Sequence, residues 1–202
     1  MRYASRPFSP LCKFSAGRLL FVRIGGRGAR PHHTVMMDAT YRLLLRGKGA
    51  HADPIAMLAD VPAAMAGRLM RGYPHSIWQI VGHMTYWMQY ELDRMAGKRP
   101  HYPEHAIESW PEEISPRGEA EWQEARTNLA ARIDLLSALS ESSADILKAP
   151  VESMHSKEEP RSTSVESVLW QIMVHNSYHV GQIAMMMRAF GVWPPRTGAD
   201  TW

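Results

Sequence analysis

The stretch from Val165 to Phe190 limits what this chain can fold into more than any other. Val165, Val168, Ile172, Ile183, Met186 and Phe190 recur there with the 3.6-residue period of an amphipathic helix. His175 and His179 lie on the same stripe, one turn apart, so their side chains stack on one face. Two imidazoles turned into an apolar seam need a partner. That partner is either a metal ion held by both rings or the carbonyls that satisfy two core histidines. The pair alone does not decide, because a chain with ten histidines in 202 residues produces such spacings by chance. His101 and His105 are a second pair, but Pro100, Pro103 and Pro111 surround them and no helix can align them.

A second strong helix supplies a third nitrogen. Ser76 and Gln79 form a capping box at its start, and Gly97 followed by Pro100 forms its stop. His83 falls three residues after Ile80 and four before Trp87, on the apolar side. A lone histidine on such a face is usually a satisfied core residue. Facing the pair on another helix, it can give three nitrogen ligands with a fourth position open, the pattern of a catalytic rather than a structural metal site. His83, His175 and His179 are therefore the predicted ligands. Gln182, three residues past His179, and Gln79, one turn before His83, either face this site or serve only seam and cap. His75 and Tyr178 are pocket candidates. Glu91, two turns beyond His83, is too far to ligate but can line a cleft. Met84, Met88 and Met185 to Met187 are expected in core or dimer packing, since thioethers suit soft metals.

The other elements follow the same reading. A first helix is expected from Met37 to Arg46, stopped by Gly47 and Gly49. Asp53-Pro54 caps a short piece that Pro62 interrupts, and Ala63 to Met70 adds a turn or two. The second long helix spans 76–96, and residues 98–115 form a proline-rich loop. Ser115-Pro116 is expected to start a third helix carrying Trp122, Ala125, Leu129, Ile133, Leu136 and Leu139 in clean 3.6 period. Residues 148–162 read as polar and exposed. Thr163 and Glu166 read as the capping box of the fourth helix, which ends at Gly191. No strand alternation, repeat or phosphate-binding glycine loop is visible. Four amphipathic helices predict an all-α four-helix bundle, and the long connections allow crossovers.

Several phrases resemble the DinB-like superfamily: Tyr73-Pro74-His75-Ser76-Ile77-Trp78-Gln79 with His83, Trp110-Pro111, His175-Asn176-Ser177-Tyr178-His179-Val180-Gly181-Gln182, and Phe190-Gly191-Val192-Trp193-Pro194-Pro195. The resemblance covers roughly Met37 to Pro195. It implies a four-helix bundle with crossover connections and a divalent metal (zinc, nickel or iron) on His83, His175 and His179. It also implies a family containing thiol-dependent transferases, metal hydrolases and members of no known activity. A homodimer is expected from the resemblance and from the supply of Trp and Met.

Charge divides the chain unevenly. Residues 1–37 carry seven basic side chains and no acid, so a total of +3 leaves residues 38–202 at −4. The folded part thus offers no basic stripe for nucleic acid. Residues 1–36 are expected to be a disordered basic extension. An organelle transit peptide fits its arginines, but its glycines and lack of an amphipathic stripe favour a mistaken upstream start at Met1, with Met36 or Met37 the true one. Residues 37–195 are the expected bundle, and 196–202 a C-terminal tail. No apolar run is long enough to span a membrane. Cys12, the single cysteine, leaves no internal disulfide and no thiolate ligand, which fits a reducing cytoplasm.

Position 176 is Asn, so the general-base glutamate of an H-E-x-x-H zinc protease is missing. Three neutral imidazoles leave a divalent ion its full charge. Two functions follow as expectations. One is a metal-dependent enzyme, in which a low-molecular-weight thiol attacks a small electrophile or water hydrolyses it. The other is a stress-related protein that holds metal without turnover.

Overall fold

The computed structural model describes residues 41–152 and 163–196. The expectations for residues 1–40, 153–162 and 197–202 lie outside the described residues. What is described is mostly helical. Residues 41–45 (α1) are followed by Pro54–Leu58 (α2), Ala63–Ala66 (α3), Ile77–Met95 (α4), Glu119–Ser140 (α5), Ala144–Leu147 (α6) and Val165–Ala189 (α7). A 3-10 turn, Ala106–Ser109, lies in the loop between α4 and α5. The three long helices α4, α5 and α7 pack against one another, with Ile80, Met84, Trp122, Ile133, Leu169 and Ile183 buried between them.

Local chemistry sets the ends of these helices. Asp53 caps α2 by accepting from the Ile55 and Ala56 amides. Ser76 and Gln79 form the expected reciprocal box on α4. Gly97 and Gly191, at φ +76° and +75°, end α4 and α7 in the left-handed conformation that glycine adopts without a Cβ penalty. Tyr41 donates to Glu166 at the start of α7, and Arg42 pairs with Glu141 just past α5.

Four expectations need correction. The third long helix begins at Glu119, not at Ser115-Pro116. Gly118 is its extended N-cap, and the Glu121 carboxylate accepts from the Arg117 amide at 2.6 Å, tying the preceding residues into a turn. The cap of α7 is Ser164, whose hydroxyl accepts from the Ser167 amide, while Glu166 is taken by Tyr41. Thr163–Ser164 pairs antiparallel with Pro150–Val151, so a two-residue strand pair exists where none was visible. Val151 is buried by it at 3 % exposure, although its neighbours Pro150 and Glu152 are exposed as expected. The turns predicted over 63–70 close after Ala66.

The loop before α5 is pressed onto α4. A Cβ at Gly82 would come within 2.3 Å of Pro111 Cγ, so only glycine allows this approach. Gln79 donates to the Pro111 carbonyl at 3.0 Å, and Ser76 donates to the Ile114 carbonyl at 2.5 Å. These contacts carry Ser109 and Trp110 to His83.

Candidate metal centre

His83 on α4 and His175 and His179 on α7 meet in the seam between those helices. His83 Nε2 lies 3.2 Å from His175 Nε2, and His175 Nε2 lies 3.1 Å from His179 Nε2. One ligand atom from each of the three falls within 4.8 Å of the others. His83 and His179 are buried, at 6 % and 4 % exposure, and His175 is half-buried.

The outer nitrogens fix what the inner ones can do. Ser109 Oγ donates to the Ala106 carbonyl at 2.8 Å, so towards His83 Nδ1, 3.0 Å away, it can only accept. The Ser109 carbonyl lies 3.3 Å from the same nitrogen. His83 therefore carries its proton on Nδ1 and turns a bare lone pair inward from Nε2. His179 Nδ1 meets Gln182 Oε1 at 2.7 Å and is arranged the same way. A single Nε2 proton on His175 would have to serve both facing lone pairs, whereas one cation satisfies all three nitrogens. Ligands at about 2.0–2.1 Å from a tetrahedral ion stand roughly 3.3 Å apart, close to the two spacings here. The donor set thus fits a divalent metal.

Burial keeps these rings neutral. Desolvation, with the neighbouring imidazoles adding to it, lowers the His83 pKa to about 3; desolvation lowers His179 to about 4 against the Gln182 hydrogen bond. His175 is pushed down by burial too, opposed by the Asn176 side chain. Neutral imidazole is the ligating form.

Aromatic rings wall the site. Trp110 is stacked between His75 and His83, with ring centroids 3.8 Å away on each side and planes 9° and 11° from parallel. Trp87 stands edge-on to His83, and Tyr178 edge-on to His179 at 5.1 Å. Of the pocket candidates, Gln182 holds His179 directly. Gln79 serves the cap and the Pro111 carbonyl and makes no hydrogen bond to the three rings. His75 is separated from His83 by the indole, with its Nδ1 buried and unpartnered. Tyr178 is exposed beside His179. Glu91 is engaged with Arg94 at 2.6 Å. Met84, Met88, Met186 and Met187 are core, and Met185 is exposed. His101 and His105 are exposed in the loop and take no part. The sequence reading missed Ser109 and the Trp110 stack. Trp110-Pro111 stood out as a phrase, but nothing in its spacing placed it against a helix some thirty residues earlier.

The fold and the site together define a class: an all-α protein with three histidines converging between two helices. A family model described as the DinB superfamily matches residues 32–183, and the chain belongs to that superfamily. No curated protein and no solved structure matches it. No helix among the described residues is long and apolar enough to cross a membrane.

Proposed function

We propose that the protein is a metal-dependent enzyme whose single divalent ion is held by His83, His175 and His179. The observation carrying this reading is the convergence of three imidazole nitrogens whose outer nitrogens, on His83 and His179, are already committed. A bound divalent cation would supply Lewis acidity, lowering the pKa of a water or thiol brought to it.

The chain's own residues supply the rest. Ser109 and Gln182 orient two rings, and Trp110 closes one face of His83 against water. No carboxylate belongs to the cluster among the described residues, so no protein acid dilutes the charge there. This favours a ligand that binds as an anion, and among the reactions of the superfamily it suits a low-molecular-weight thiol best. The thiol would give up its proton to solvent water, sulfur would bond to the electrophilic carbon, and the leaving group would depart with the electron pair of the bond it breaks. Hydrolysis of a small electrophile is the same chemistry with water as nucleophile. Elemental analysis of the purified protein followed by a thiol-conjugation screen tests the proposal. One equivalent of metal with metal-dependent turnover supports it. Metal without turnover across thiols and electrophiles would favour a non-catalytic metal-holding protein.

A further inference from the structure

Asn176 is a buried polar residue that the proposed site leaves without a role. It is 4 % exposed, on the turn between the two ligand histidines of α7. Its Nδ2 donates to Met88 Sδ on α4 at 3.4 Å. That contact sets the amide's orientation, since the flipped amide would turn its oxygen onto a sulfur lone pair and strand both N–H groups. The oxygen Oδ1 is left buried with no hydrogen-bond partner. An orphaned buried carbonyl is costly and rare.

Among the described residues one ligand histidine, His175, has no acceptor fixed on its outer nitrogen. His83 Nδ1 has Ser109 and His179 Nδ1 has Gln182, whereas both hydrogen bonds of His175 run through Nε2. A ligating imidazole donates its other N–H to an acceptor that fixes ring and tautomer. Resting on the three-histidine reading, we propose that Asn176 is the positioning residue of His175, its Oδ1 accepting the Nδ1 proton when Nε2 gives its lone pair to the metal. Each of the three rings would then have its own neutral acceptor: a serine, a glutamine and an asparagine. The same residue type explains the departure from H-E-x-x-H. A neutral acceptor at 176 positions a ligand and leaves the site without a carboxylate base.

The test compares zinc affinity, by chelator competition, for wild type, Asn176→Ala, Asn176→Asp and His179→Ala, with ring N–H proton spectra of the cobalt-substituted forms. Asn176→Ala is expected to bind zinc about 10- to 100-fold more weakly. Its His175 N–H should exchange freely with solvent while those of His83 and His179 stay protected. Asn176→Asp, which keeps the acceptor, should restore both affinity and protection. Wild-type affinity and three protected N–H protons in Asn176→Ala overturn the proposal. So does a His175 N–H in the cobalt-loaded wild type that exchanges as fast as free imidazole, which decides the matter if Asn176→Ala does not fold. Stoichiometric zinc in His179→Ala refutes instead the three-histidine site on which the proposal rests.

Discussion

The long helices α5 and α7 each bury one face, and they do so differently. The buried face of α5 is Trp122, Leu129, Ile133 and Leu136, with Ser140 the only polar residue, its hydroxyl turned back to the Ser137 carbonyl. The buried face of α7 begins in the same way, with Val165, Val168, Leu169, Ile172 and Met173, and ends with Ile183, Met186 and Met187. Between these apolar ends it buries Asn176 and His179. An apolar face needs only to be excluded from water, whereas a buried polar group needs a specific partner. The α7 face therefore depends on single atoms elsewhere, His83 Nε2 and Met88 Sδ above all, in a way that the α5 face does not. One face is packing alone, and the other also carries two of the three histidines that could hold a metal.

The largest contrast should come from removing one ligand. His179→Ala is expected to weaken zinc binding roughly a thousandfold, about 4 kcal/mol, near a third of the ~10–16 kcal/mol typical of structural zinc. Competition titration checks this, and retention of stoichiometric zinc would break the comparison at its centre. On the other face, Ile133→Ala should lower folding stability by about 2–5 kcal/mol through loss of burial and the cavity left behind. Urea denaturation measures that loss, and the folded fraction should still bind one zinc. If it does not, the two faces are coupled and the division is false.

A smaller effect separates the faces by pH. His83 and His179 are held neutral in the fold, with pKa values of about 3 and 4, while unfolded histidine titrates near 6.5. The unfolded chain therefore takes up protons first as pH falls. Their contribution is complete above about pH 6.5 and is lost progressively down to about pH 4 for His179 and about pH 3 for His83. Between pH 7.5 and 5.5 the metal-free protein should lose about 1–3 kcal/mol. Thermal melts of the His83→Ala, His179→Ala double variant should show a shallower loss. An equal slope would mean that these rings are not buried neutral. Ser109→Ala, which removes one acceptor of His83 Nδ1 but leaves the Ser109 carbonyl, should lower zinc affinity by about tenfold, at the low end for an outer partner.

The apolar period made the buried faces legible, because a 3.6-residue repeat can be met by only one face of a helix. The three histidines were legible for the same reason, lying where apolar residues were due. Ser109, Trp110 and the Gly82–Pro111 contact were not, because they depend on where a loop lands and spacing within a helix says nothing of that. The start of α5 was misread because Ser115-Pro116 has the local chemistry of a cap. The Arg117–Glu121 contact and the Gly118 turn moved the first helical residue to Glu119.

The smallest expected effect gives the cleanest comparison. His101 and His105 have the same i, i+4 spacing as His175 and His179, so by sequence alone the two pairs are equivalent. The backbone separates them. Around His101 and His105 the chain is loop, both rings are exposed, and neither joins a cluster of possible ligands among the described residues. Replacing both by Ala should leave zinc stoichiometry and affinity unchanged and alter folding stability by no more than about 0.5 kcal/mol, as for most surface substitutions. A measurable loss of zinc would place a metal on the loop and remove the claim that burial in the α4–α7 seam, rather than histidine spacing, makes the site.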